Sequence, residues 1–224
     1  MSSSKIIKSK KRVADHGEVF TSEREVNAML DLVKHEAERI DSRFLEPACG
    51  DGNFLSEILR RKLKIVKNKY TKSQLEFERF SITALSSIYG VDILEDNVQA
   101  CRERLFGIFN DIYESLYKNK CKVECRKSAR FVLDRNILWG DALSLKTVGK
   151  AQEPIIFSEW SFVQGSNIKR RDFRFAELAE FNPNTPGLFD QADESVTGEL
   201  VFSPRPVKEY PLIHFLELSY EKSN

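Results

Sequence analysis

At 224 residues, 41% hydrophobic and 31% charged, the chain is long enough to bury a real core in one domain with an appendage. Its 35 Lys and Arg against 34 Asp and Glu leave a formal charge of +1, which argues against a stand-alone, strongly electrostatic DNA binder but not against a subunit whose partner carries the basic surface. The four cysteines (Cys49, Cys101, Cys121, Cys125) form no C-x-x-C pair, so a reduced, cytoplasmic protein without a metal site is expected. No apolar signal region opens the chain and no apolar run is long enough to span a bilayer, which predicts a soluble protein with no membrane partner.

Residues Met1 to Arg12 are rich in serine and lysine and read as a flexible basic tail, with a contact to DNA phosphates as the alternative. Gly17-Glu18-Val19-Phe20-Thr21-Ser22 follows, and Thr21 or Ser22 suits the cap of a helix reaching about Ile40. Then comes the stretch on which the chain turns: Arg-Phe-Leu-Glu-Pro-Ala-Cys-Gly-Asp-Gly-Asn-Phe-Leu, residues 43–55. Phe44 and Leu45 read as the end of a buried strand. Gly50 and Gly52 can take positive φ and admit a ligand against the backbone, and Phe54, Leu55, Ile58, Leu59 and Leu63 recur at helical spacing. Cys49 reads as a small packing residue. The free N–H groups of the new helix point into the same space as the glycines. The spacing is neither a dinucleotide fingerprint nor a phosphate loop.

Lys62 to Lys72 reads as a charged turn, and Ser73 to Ser86 as a further helix. Ser87 to Ile93 is a second buried strand ending in Asp92. A carboxylate there can face a ligand or simply cap the helix that follows, from Asp96 to Tyr117. Cys121 and Cys125 lack histidine neighbours and read as packing. Asn136 to Leu143 is a third strand closing on an acidic turn at Asp141.

Four of these strings, in chain order, resemble motifs of the N6-adenine DNA methyltransferases of restriction–modification systems. Glu46 to Leu55 resembles motif I, the loop that holds S-adenosylmethionine (SAM). Gly17 to Thr21 ahead of it resembles motif X, Tyr89 to Ile93 resembles motif II, and Asn136 to Leu143 resembles motif III. The resemblance covers residues 13 to about 148. It implies an α/β, Rossmann-like class I SAM-dependent methyltransferase fold with a partial parallel sheet over residues 13–150. It implies that SAM is held by Phe20, Thr21, Glu46, Pro47, Ala48, Cys49, Gly50, Asp51, Gly52, Asn53, Phe54, Asp92, Ile93, Asp141 and Ala142. In that scheme Asp92 takes the ribose hydroxyls, Ile93 lies on the adenine face and Asp141 takes the adenine amine. One departure is Ser22, where the family usually has proline.

The pattern then stops. The family next needs a fourth strand ending in Asn/Asp-Pro-Pro-Tyr/Phe, which accepts the N–H bonds of the target amine and stacks on the flipped base. No such tetrapeptide is present. The nearest string, Asn182-Pro183-Asn184, has no second proline and no aromatic, so no catalytic residue is assigned beyond the candidates Asn182 and Pro183. Residues 151–224 instead read as a β-hairpin, Pro154 to Phe175 around Gly165, and an extended, proline-bearing segment for partner docking. Lys169, Arg170, Arg171 and Arg174 on the second arm could face phosphate or form a solvated edge. The third strand is expected to present an open edge, partly covered by the hairpin, with Tyr210 to Leu218 docking on the partner. The expected function is the SAM-binding subunit of a split adenine methyltransferase. A second subunit would supply the catalytic motif, and DNA would be reached through the complex. The alternatives are a non-catalytic SAM-binding module of a restriction complex, or a methyltransferase for a non-DNA substrate.

Overall fold

A computed structural model of the chain describes Arg12 and residues 21–179, 192–194, 200–202 and 205–220. Phe20, Asn182 and Pro183 lie outside these residues. Ser22 caps α1 (Glu23–Leu32) in a capping box. Its hydroxyl accepts from the Glu25 N–H, and the Glu25 carboxylate accepts from the Ser22 N–H. The helix expected to reach Ile40 breaks at Val33 and resumes as α2 (Lys34–Glu38).

The fold is α/β. Three parallel strands, β1 (Phe44–Glu46), β2 (Ile88–Asp92) and β3 (Ile137–Asp141), lie side by side in chain order. Between β1 and β2 run α3 (Asn53–Tyr70) and α4 (Gln74–Ser86). Between β2 and β3 run α5 (Glu95–Tyr117) and α6 (Val123–Asn136). Alternation along the strands divides two apolar faces. Ile88 and Ile137 pack with the helices around Leu55, Leu59, Leu85, Leu105 and Phe109. Tyr89 and Val91 pack with Ile155, Phe157 and Phe175 on the other side. All three strands end in an acid, Glu46, Asp92 and Asp141, on one edge of the sheet.

Two expectations are corrected here. Lys62 to Lys72 is no turn: α3 runs on to Tyr70, because Leu63 and Val66 continue its buried stripe while Lys64, Lys67 and Lys69 look outward. The outer edge of β3 is not open either, since β4 (Lys146–Thr147) pairs with it antiparallel. Among the described residues, β1 is the edge with no strand beside it. A cleft of about 230 Å³ opens there, lined by Phe44, Leu45, Tyr89, Phe157 and Phe173.

The hairpin forms as expected, β5 (Ile156–Gln164) and β6 (Asn167–Arg174) turning at Gly165, and α7 (Phe175–Ala179) follows it. It builds its own sheet rather than extending β3. One end covers the second face through Phe157. The other reaches the helices through Trp160, whose indole N–H donates to Asn136 Oδ1 at 3.0 Å. Its cations are not arrayed for phosphate. Arg170 is buried on Asp172, and Lys169, Arg171 and Arg174 pair with Glu209, Glu159 and Glu177. Short strands β7 (Ala192–Glu194) and β8 (Leu200–Phe202) pair with each other, while β9 (Lys208–Glu209) and β10 (Ile213–His214) pair with β6. The stretch from Tyr210 to Leu218 docks on its own chain. Phe215 and Leu218 in the closing 3-10 turn are fully buried in the helical core. Among the described residues no helix is long and apolar enough to cross a membrane.

Lys62 is fully buried, and its ammonium reaches the Ile40 and Ser42 carbonyls and the Ser87 hydroxyl, tying the approaches to β1 and β2 together. Burial pulls its pKa down to about 7, with Asp41 opposing. Above that pH the folded chain has lost a proton that the unfolded chain keeps up to its ordinary value near 10.5, so stability should rise across pH 7 to 10.5. The unfolding free energy from denaturant titration should therefore climb by an amount on the order of a few kcal/mol over that window, and Lys62→Met should lose this slope. Parallel pH profiles for the two proteins would mean that the three oxygens keep the ammonium charged.

Candidate functional site

The site is built at the carboxyl edge of the sheet, where an open α/β sheet offers strand ends and helix N-termini to one space. Leaving β1, the chain turns through Pro47 and Ala48, both exposed, to Cys49, whose N–H donates to the Val91 carbonyl at 2.9 Å and lays the loop over the end of β2. Gly50 (φ 53°) and Gly52 (φ 87°) both take the left-handed conformation that the sequence requires of them. Gly52 is the N-cap of α3 and offers no side-chain bond to it, so the N–H groups of the first turn remain for a ligand. A Cβ at Gly52 would sit 2.7 Å from Cys101 Sγ on α5. The loop is therefore seated directly on that helix.

Asp92 holds the loop from β2. Its Oδ2 accepts the Gly50 N–H at 2.8 Å, and its Oδ1 accepts the Leu94 N–H at 2.9 Å and the Asn97 amide at 3.2 Å. A carboxylate offers four lone-pair positions, so one on Oδ2 is left. Ile93, next in the chain, is 46% exposed, and its carbonyl is fixed by the Trp139 indole N–H at 3.0 Å. Glu46 is half-buried at the end of β1, and burial holds its pKa above the ordinary carboxylate value. Asp141 is drawn below its ordinary value by the Ser144 hydroxyl and by the Leu143 N–H, which closes the turn after β3 at 2.9 Å. Ala142 packs into the second-face cluster.

Cys49 is buried against Cys101. That neighbouring thiol, and then burial, push its own thiol far up, so it stays protonated and serves packing rather than nucleophilic attack. Phe54 packs on the core from the first turn of α3. The side chain of Asn53 donates to the Thr21 carbonyl at 3.4 Å, which brings the segment ahead of α1 against the glycine loop. Of the residues expected to form the site, Thr21, the 46–54 loop, Asp92 and Ile93 are joined by these contacts, and Asp141 ends the next strand.

Sequence reasoning missed the backing of the loop. Asn97, Cys101 and Arg104 stand at i, i+4 and i+7 on α5, on one helical face. Asn97 bonds Asp92, Cys101 underlies Gly52, and Arg104 pairs with Asp51 and Asn53. Two polar residues flanking a cysteine on an otherwise apolar stripe was the signal available. Arg12, assigned to a free tail, donates to Asp96 at 2.6 Å and to Asn97 Oδ1 at 3.2 Å. A cleft of about 560 Å³ lies at the other end of the strands, lined by Ile40, Ser87, Arg39, Arg43 and Arg79. Those three cations are paired with Asp41, Glu159 and Glu76, so cavity size there does not outweigh the unfilled donors at the carboxyl edge.

Among the described residues no group of His, Cys, Asp or Glu is placed to hold a metal ion. The arrangement can hold a ligand that carries an acceptor for helix N–H groups, a hydroxyl for Asp92 and an apolar plane for Ile93. Compared with protein-family models, with curated proteins and with solved structures, the chain finds no match.

Proposed function

We propose that this edge is a SAM site and that the chain is the SAM-binding subunit of a split DNA adenine-N6 methyltransferase, its fold a partial Rossmann-like class I methyltransferase. The supporting observation is the glycine loop itself: two residues at positive φ, pinned to the β2 acid, above a helix N-terminus with no side-chain cap. The residues present fit the cofactor. SAM supplies an electrophilic methyl group. On this chain, the first turn of α3 suits its carboxylate, Glu46 its ammonium, the remaining Asp92 position a ribose hydroxyl, Ile93 the adenine face and Asp141 the adenine amine.

The split arrangement rests on the missing tetrapeptide, since the groups that orient a target amine cannot be replaced by cofactor binding alone. The β1 edge beside Leu45 is where a partner's strand can extend the sheet, which moves the docking edge from β3, expected from sequence, to β1. Titration calorimetry of the isolated chain should show SAM binding. Transfer of label from SAM to adenine in mixed-sequence DNA should be absent with the chain alone and appear with its co-expressed neighbour. Adenine methylation by the chain alone would sink the split reading and turn attention to Asn182, which Asn182→Ala would then decide.

A further inference from the structure

We propose that Arg104, which belongs to none of the sequence motifs, is the positioning residue of this cleft. It holds the glycine loop rigid and, through Asn53, draws the segment at Thr21 against it. The inference rests on the SAM reading of the site for its ligand but not for its geometry. From the middle of α5 the guanidinium meets Asp51 as a fork, Nη1 to Oδ1 at 3.2 Å and Nη2 to Oδ2 at 2.8 Å. Nη1 also donates to Asn53 Oδ1. Arg104 is 35% exposed and Asp51 18%, so the pair is only partly screened by water.

Two consequences follow from donor and acceptor chemistry. With its oxygen on a cation, the Asn53 side chain must turn its NH2 the other way, where it meets the Thr21 carbonyl at 3.4 Å. Arg104 thus reaches both walls of the cleft, one directly and one through a single amide. The Asp51 carboxylate, in turn, gives one acceptor position on each oxygen to Arg104, which turns it toward α5. Asp51 and Asn53, expected to touch the cofactor, become the frame that shapes the loop. A loop with glycines at 50 and 52 has more backbone freedom to lose on binding than any other, and a bidentate clamp removes that freedom beforehand.

The test pairs Arg104→Met, which keeps the stem and loses the fork, with Arg104→Lys, which keeps the charge as a single point. Arg104→Met should bind SAM roughly tenfold more weakly, mostly through faster release, while its unfolding transition stays close to that of the parent. Arg104→Lys should fall between. Without any ligand, hydrogen exchange should quicken in Arg104→Met at the amides of 50–53 and of 22–26, and not in the strands of the sheet. Methylguanidinium should restore part of the affinity of Arg104→Ala, which a purely structural role would not allow. Unchanged SAM affinity in folded Arg104→Met, or unchanged exchange in both segments, overturns the proposal. A wild-type chain that takes up no SAM overturns the cofactor reading instead, and the exchange arm still decides the role of Arg104.

Discussion

Gly52→Ala is expected to destabilise the protein by about 2–5 kcal/mol and to abolish measurable cofactor binding. Two costs combine. At φ 87° an L side chain leaves its allowed region, which costs roughly 1–2 kcal/mol. The new Cβ would also stand 2.7 Å from Cys101 Sγ and 3.4 Å from Cys101 Cα, so either α5 or the loop must move, at about 1–3 kcal/mol. The two are separable. Cys101→Ala alone removes a buried sulfur and should be mildly destabilising. In the Gly52→Ala background it should recover stability, because it removes the overlap and leaves only the backbone cost. Denaturant unfolding of the four proteins gives the coupling, which should exceed roughly 0.5 kcal/mol for residues in direct contact. Additive effects would mean that the loop does not rest on Cys101. Read from sequence, Gly52 only admits a ligand against the backbone; because it is seated on Cys101, Gly52→Val should fail on stability as well as binding.

That difference shows where sequence reading ends. The need for glycine at positions 50 and 52 is local, a matter of φ, and is legible in the string Cys-Gly-Asp-Gly-Asn. The surface that Gly52 lies on is not, because Cys101 is 49 positions away on a helix whose docking face is set by the whole core. The same division runs through the fold. The strand ends Glu46, Asp92 and Asp141 were readable, because a short apolar run closing on an acid before a helical stripe leaves few alternatives. Lys62 to Lys72 was misread as a turn because five of its residues are lysines, although Leu63 and Val66 keep the helical period beneath them. From sequence the cations of the hairpin could face phosphate or form a solvated edge; in the fold they pair with the carboxylates of Glu159, Asp172, Glu177 and Glu209. Those pairings depend on cross-strand register and on β9, which no local pattern announces. The stretch around Phe215 was correctly seen as apolar. Its destination, the chain's own helices rather than a partner, is a tertiary fact.

Asp92 carries the second large effect, and its geometry narrows what it can do for a ligand. Asp92→Ala strands the Gly50 and Leu94 N–H groups and the Asn97 amide in a position that is 8% exposed, which should cost about 2–4 kcal/mol of stability. Asp92→Asn is the sharper probe. Its remaining oxygen can still serve Leu94 and Asn97, but its NH2 then faces the Gly50 N–H, donor against donor, so the loop is released while the β2 end stays capped. SAM affinity should fall about tenfold or more, with stability reduced by only about 1 kcal/mol. The sequence alone suggests that Asp92 takes both ribose hydroxyls. With three of its four acceptor positions filled by protein donors, it has room for one. The 2′-deoxy and 3′-deoxy forms of S-adenosylhomocysteine distinguish the two cases. If one hydroxyl reaches Asp92, the wild-type chain should discriminate strongly against one analogue only, and for that analogue the Asp92→Asn penalty should shrink, since the bond it would lose is already gone. Equal discrimination against both, with the penalty shrinking for each, would show that the Gly50 N–H leaves Asp92 when the cofactor arrives, and that the loop is rebuilt by binding rather than prepared for it.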